Sequence, residues 1–87
     1  VGMDKVRENT RAHRKLRQGM DVCAPELGAI AAVFRGKACL HVGVVVEADG
    51  RLKVLDTNPG GARLRTVREF ETDFPMVVYY RDRILPK

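Results

Sequence analysis

Long apolar segments and cysteines are both scarce in this sequence. No apolar run approaches the roughly 18 residues of a membrane-spanning helix, so none is predicted. The basic N-terminus is not followed by an apolar segment, and we therefore expect no secretory signal peptide. The two cysteines, Cys23 and Cys39, are too few for a disulfide framework. They favour a reducing, cytoplasmic location.

Metal and cofactor signatures are also missing. The histidines and cysteines do not have the spacing of a zinc site. The cluster Asn58-Pro59-Gly60-Gly61 is a turn signal rather than a phosphate loop, because no helix with a Lys-Ser or Lys-Thr pair follows it. The sequence therefore predicts no metal and no cofactor.

What is present fits one small domain. The chain has 87 residues, of which 45% are hydrophobic, and we expect a single domain spanning 1–87 with a thin core. Residues 1–20 carry six basic and two acidic side chains, which is most of the formal net charge of +5. Such a segment could attract phosphate backbones or an anionic surface, but a solvated helix face is the simpler explanation.

The first twenty residues predict a basic helix and connector. Apolar and small polar residues recur at spacings of three and four over residues 3–18, and they define one stripe: Met3, Val6, Thr10, His13 and Leu16. Gly19 is a plausible C-terminal stop. Residues 20–27 are predicted to be a connector. The stripe is weak, so we expect this helix to lean on the domain or on a partner.

The rest of the chain predicts strands, and the fold class is α+β. After the N-terminal helix we expect an antiparallel β meander, or a small partly open barrel, of about five strands. Asp49-Gly50 predicts a tight hairpin turn. Residues 68–74 are predicted to form a short helical or irregular segment. The predicted strands cover 29–35, 39–47, 51–57, 62–67 and 76–81.

One hairpin holds the residues best suited to chemistry. Side chains alternate along a strand, so Cys39, His41 and Gly43 are predicted to share one face. A regular hairpin about residues 48–50 brings Asp56 and Asn58 close to His41. A histidine oriented by a carboxylate or an amide is half of a nucleophilic triad. The simpler interpretation is a half-exposed strand histidine beside turn-forming residues.

The segment HVGVVVEADG is followed by VLDTN and, near the end of the chain, by Tyr79-Tyr80-Arg81. These segments resemble the second half of the NlpC/P60 and CHAP superfamily of papain-like cysteine peptidases and amidases. The similarity spans residues 25–82. The resemblance implies that His41 is the catalytic base. It implies further that Asp56, or Asn58 as in the CHAP branch, orients that base.

The helix that carries the nucleophile in this superfamily is not evident here. The N-terminal helix contains no cysteine, and the Ala24-Pro25 pair after Cys23 does not start a helix easily. Cys39 is the nearer candidate nucleophile because it is predicted to lie on the face of His41. A small buried thiol is the alternative role for both cysteines.

Three functions follow from these observations. The first is a truncated, non-catalytic NlpC/P60-like module, with a phage or prophage relationship as one option, that binds or assembles through its N-terminal helix with a protein partner or a second copy. The second is an active cysteine peptidase or amidase that cleaves peptidoglycan-type peptides with His41 as base. The third is a small-barrel nucleic-acid binder, which is ranked last because its few aromatic residues are needed for the core.

Overall fold

A computed structural model describes residues 3–82 of the chain, apart from the side chains of residues 9, 12–13 and 15–17. It contains two helices and six strands, with a 3-10 turn at Arg17–Gly19 after the first helix. The elements in chain order are α1 (Met3–Leu16), β1 (Met20–Cys23), β2 (Ile30–Arg35), β3 (Ala38–Ala48), β4 (Arg51–Asn58), β5 (Gly61–Thr66), α2 (Val67–Asp73) and β6 (Val77–Asp82).

The strands form one antiparallel sheet in the order β1-β6-β2-β3-β4-β5. The α+β class and the antiparallel pairing are confirmed. Of the two predicted arrangements, a meander or a partly open barrel, the barrel is not confirmed, because the sheet is not closed and β1 and β5 are its two edges. The sheet also has six strands rather than about five.

The additional strand is β1, which falls within the predicted connector 20–27. Among the described strands its four residues pair only with β6, close to the other end of the chain, for example Val22 opposite Tyr80. A four-residue segment whose one partner lies far away in sequence has almost no local signal. The prediction of a connector was therefore wrong for Met20–Cys23.

The predicted hairpin turn between β3 and β4 is present. Asp49 and Gly50 both have positive φ, at 55° and 74°. An Asp-Gly pair tolerates this conformation, which two-residue hairpin turns require. The turn sets the register Ala48 opposite Arg51 through Gly43 opposite Asp56.

Helix α2 covers one face of the sheet, which we call the α2 face. Phe70 is fully buried there among residues from β2, β3, β4 and β6, namely Val33, Val45, Val54 and Tyr79. Thr66 caps the helix with a complete capping box, in which its hydroxyl accepts from the Glu69 amide and the Glu69 carboxylate accepts from the Thr66 amide. The amide of Thr66 is the main cause of a lowered pKa of Glu69.

The second face, which we call the opposite face, is only partly covered. A smaller buried cluster lies at one end of it and consists of Ala32, Phe34, Cys39 and Tyr80. Beyond that end, four large apolar side chains remain 40–47% exposed: Val42, Val44, Leu55 and Leu64. The last three are opposite one another on consecutive strands and so form a continuous row.

Helix α1 packs against the first part of β3. The Thr10 hydroxyl accepts a hydrogen bond from the Cys39 amide at 2.8 Å and donates to the Val6 carbonyl. This amide needs a side-chain partner because the pairing of β3 with β4 begins only at Gly43. The side chains of His13 and Leu16, which complete the predicted stripe, lie outside the described residues. Neither helix within residues 3–82 is long and apolar enough to cross a membrane.

Candidate functional site

The hairpin formed by β3 and β4 brings His41 and Asp56 together on the α2 face. Gly43 is opposite Asp56, and His41, two residues before Gly43 in β3, therefore lies diagonally across from Asp56. The Nε2 atom of His41 is 2.6 Å from Oδ2 of Asp56. A carboxylate only accepts hydrogen bonds, which assigns the ring proton of this contact to Nε2. The predicted proximity of the two residues is present, whereas their catalytic role stays a prediction.

Arg65 completes this arrangement from β5. Its guanidinium donates from one terminal nitrogen to both oxygens of Asp56, at 3.2 and 3.1 Å. Asp56 is only 3% exposed, and a buried carboxylate is costly unless it is paired and hydrogen-bonded. His41 and Arg65 together supply that pairing. We call His41, Asp56 and Arg65 the polar cluster.

Helix α2 closes over the polar cluster. The Nε atom of Arg65 lies 3.2 Å from Oδ2 of Asp73, an ion pair whose N–H direction does not meet hydrogen-bond geometry. The guanidinium carbon of Arg65 is 5.4 Å from the centre of the Phe74 ring and 6.0 Å from that of Phe70. The Phe74 ring also lies 5.8 Å from the His41 ring. These contacts enclose the arginine and leave one edge of the cluster open.

The open edge belongs to His41, whose side chain is 24% exposed. Within residues 3–82, no hydrogen bond engages its second ring nitrogen, Nδ1. In the neutral ring this nitrogen accepts a proton or a hydrogen bond. The His41 imidazole is therefore the part of the cluster that an incoming group can reach.

Gly43 does not provide space for a substrate beside His41. A Cβ atom at this position would lie 2.8 Å from Cγ1 of Val54 and 3.0 Å from the Leu55 carbonyl oxygen. The missing side chain instead allows β3 and β4 to approach each other closely next to Asp56. The expectation that Gly43 shares a face with His41 agrees with the register.

Cys39 does not share a face with His41, and that prediction was wrong. His41 pairs with Val33 whereas Cys39 pairs with Phe34, so Leu40 is an extra residue of a β-bulge. The bulge reverses the alternation, and the Cys39 side chain is buried in the cluster of the opposite face. Burial raises the pKa of its thiol, which disfavours the thiolate.

Cys23 lies on the α2 face but far from the polar cluster. Its position follows from a row of paired residues across four strands: Cys23, Tyr79, Ala31 and Gly43. Cys23 and Gly43 are three strand spacings apart, a distance of about 14 Å. His41 lies a further two residues away, before Gly43 in β3. Partial burial, followed by the nearby Glu26 carboxylate, raises the pKa of the Cys23 thiol.

Asn58 makes a turn contact, and no hydrogen bond within residues 3–82 joins it to the His41 ring. Its Oδ1 accepts a hydrogen bond from the Gly60 amide at 2.9 Å and so stabilises the turn between β4 and β5. No group of three or more His, Cys, Asp or Glu side chains among the described residues is placed to hold a metal ion.

Comparison with known proteins gives no assignment. No protein-family model matches this chain, and neither a curated protein nor a solved structure matches it significantly. The residues and their geometry are therefore the only basis for a function.

Arg65 is the member of the site that the sequence does not connect with His41 and Asp56. Residues 62–67 alternate in polarity. Because arginines on an edge strand are usually solvated, this pattern does not predict that Arg65 pairs with a buried carboxylate. The signal that identifies it is its register opposite Val54, next to the buried Asp56. That register depends on the length of the turn at 58–61, which the sequence alone does not determine.

Proposed function

We propose that this chain is a non-catalytic, NlpC/P60-like β module that acts in binding or assembly. The observation that carries the proposal is the separation of both cysteines from His41. A hydrolase of the cysteine type needs a thiolate within hydrogen-bond reach of its histidine, at about 4 Å or less even in a relaxed free state.

Neither thiol meets this requirement. Cys39 is buried on the opposite face, and its Sγ lies 3.7 Å from the carbonyl oxygen of His41 rather than near the ring. Cys23 lies three strands away from the strand of His41. The raised pKa of each thiol also lowers its nucleophilicity at neutral pH.

The polar cluster has a structural task that accounts for its residues without catalysis. Asp56 is buried beneath α2 and receives hydrogen bonds from His41 on one side and Arg65 on the other. The three residues belong to three adjacent strands, so the cluster links β3, β4 and β5 under the helix. Such a network specifies one register for the sheet edge.

One observation favours an active cysteine amidase as the second candidate. Nε2 of His41 is oriented by Asp56, the His41 side chain is 24% exposed, and no hydrogen bond within residues 3–82 engages Nδ1, which is the arrangement of a general base awaiting its nucleophile. This function requires a thiolate at Nδ1 that the described residues do not supply. It would therefore act on peptidoglycan-type peptides only with a nucleophile from elsewhere.

A peptidase assay on this chain tests the proposal. Soluble peptidoglycan fragments are incubated with the wild-type protein, with His41→Ala and with the double variant Cys23→Ser/Cys39→Ser, and new amino groups are measured. We expect no release of amines above the His41→Ala background. Turnover that is lost in both variants would contradict the proposal and establish the amidase.

A further inference from the structure

We infer that a groove along α1 binds an acidic segment of a partner protein in which apolar side chains alternate with carboxylates. This inference rests on the proposed binding function and adds the chemistry of the partner. The groove has a volume of about 400 Å³ and runs beside the start of β3. Its lining consists of Met3, Val6, Arg7, Thr10, Arg11, Arg14, Lys37 and Ala38.

Four cations surround this groove. Arg7, Arg11 and Arg14 lie at helical spacings of four and three, so they share one side of α1, and Lys37 faces them from the turn between β2 and β3. All four are exposed. None of them forms an ion pair with another described residue. Four like charges gathered in one place repel each other, and an anionic ligand relieves that repulsion.

The groove is also apolar between its cations. Met3 and Val6 of α1 and Ala38 of β3 line it, and Met3 is among the most exposed apolar side chains of the described chain. A ligand that carries only negative charge would leave these side chains in contact with water. A segment that combines carboxylates with apolar side chains satisfies both kinds of contact.

The shape of the groove favours a narrow peptide segment. The helical distance from Met3 to Arg14 corresponds to about 16 Å, the length of roughly three helical turns. A stable interface between two globular copies buries about 800 Å² on each partner, which is far more than a groove of this length provides. A second copy would also bring the same four cations against the first.

A single-stranded nucleic acid fits the groove less well than an acidic peptide. Aromatic rings that stack with bases are the usual feature of such sites, and none lines this groove. Phosphates would contact the arginines but would gain nothing from Met3, Val6 and Ala38. The nucleic-acid alternative is therefore an outcome of the test rather than the proposal.

The test uses a fluorescein-labelled peptide in which Leu and Glu alternate along the sequence, with fluorescence anisotropy as the readout. Two matched peptides replace every Glu by Gln or every Leu by Ser. We expect the Glu-Leu peptide to bind at least about tenfold more tightly than either matched peptide. Raising the salt from about 50 mM to about 0.3 M should weaken binding, because exposed charges are screened over a Debye length.

Matched protein variants locate the binding site. Arg7→Gln/Arg11→Gln removes two charges from the groove, and Arg51→Gln/Arg63→Gln removes two exposed charges outside it. We expect about tenfold weaker binding for the first variant and less than about twofold for the second. Met3→Gln changes no charge at an exposed position and should weaken binding about threefold. Circular dichroism verifies that α1 persists in each variant.

Three results would overturn the inference. The first is equal binding of the Glu-Leu and Gln-Leu peptides, or equal losses in the two arginine variants. The second is binding of a single-stranded oligonucleotide that is tighter than binding of the Glu-Leu peptide and that Met3→Gln does not change. The third is a concentration-dependent dimer in sedimentation that is lost in the variant Arg7→Gln/Arg11→Gln. Each leaves the absence of peptidase activity unchanged, so failure of this inference is distinguishable from failure of the proposed function.

Discussion

The two faces of the sheet differ in how completely they are covered. On the α2 face, Phe70 and its neighbours are fully buried, and even the charged Asp56 is enclosed. On the opposite face, burial is confined to one end, and Val44, Leu55 and Leu64 form a half-exposed row. Stability in this small domain therefore depends mainly on the α2 face, where the polar cluster is part of the core.

This difference also separates the candidate chemistry from the available surface. His41 contacts groups that are themselves enclosed, and its own side chain is 24% exposed. The groove along α1, in contrast, presents four exposed cations beside apolar side chains. In the proposed function, the residues most similar to a catalytic site therefore stabilise the sheet, and the groove along α1 is the binding region.

The largest expected effect tests the unequal burial directly. Phe70→Ala should lower the free energy of unfolding by about 3–5 kcal/mol, because it leaves a cavity in the main core. Leu64→Ala, in the half-exposed row, should cost less than about 1 kcal/mol. Urea unfolding followed by circular dichroism measures both. Comparable losses in the two variants would remove the distinction between the faces.

The next effect concerns the polar cluster. Arg65→Met should lower the free energy of unfolding by about 3 kcal/mol, because Asp56 stays buried with one of its partners missing. Asp56→Asn/Arg65→Met should lose about 1–3 kcal/mol less than the sum of the single variants. Strictly additive losses in this double-mutant cycle would show that the two residues do not act as a unit.

Gly43 gives a smaller and more local effect. Gly43→Ala should cost about 1–3 kcal/mol, because the added methyl group meets Val54 and a backbone carbonyl. Gly19 is a suitable control, since nothing lies within 4 Å of an added Cβ and its φ is not positive. An equally mild effect of both substitutions in thermal unfolding would mean that the contact of β3 with β4 is looser than described.

The smallest effect involves Tyr79, whose buried hydroxyl has no hydrogen bond of ordinary geometry within residues 3–82. Burial, followed by the nearby Glu71 carboxylate, raises the pKa of Tyr79 to about 12. The folded state therefore holds this proton at pH values where the unfolded chain loses it, and stability declines as pH rises from about 10 to about 12. Tyr79→Phe should change stability at neutral pH by less than about 1 kcal/mol.

The same variant should flatten the alkaline decline of the melting temperature. Thermal unfolding at a series of alkaline pH values compares the two proteins. A decline that is identical in wild type and Tyr79→Phe would assign it to other groups.

Local signals predicted the hairpin that contains the site. Asp49-Gly50 placed the turn, and counting outward from the turn placed Asp56 near His41. The helix at 3–18 was predicted because its period is visible within a few turns, and α1 ends two residues earlier with a 3-10 turn following it. These features depend on residues that are close together in sequence.

Features that depend on distant pairing or on one inserted residue could not be predicted. Strand β1 forms because it pairs with β6, and its four residues show no periodic pattern of their own. The bulge at Leu40 moves Cys39 to the opposite face, although the run from Ala38 to Val42 gives no local sign of it. The contact of Arg65 with Asp56 could not be predicted for a similar reason, since the register of β5 follows from the turn between β4 and β5.

The most direct test of this account is the rate at which iodoacetamide labels the cysteines of the native protein at neutral pH. Mass spectrometry assigns the label to Cys23 or Cys39 in wild type and in His41→Ala. Buried or partly buried thiols with a raised pKa react slowly. We expect each cysteine to be labelled slowly, at a rate that does not differ between wild type and His41→Ala. Rapid labelling of one cysteine that falls about tenfold in His41→Ala would show a histidine-activated thiolate and contradict the account.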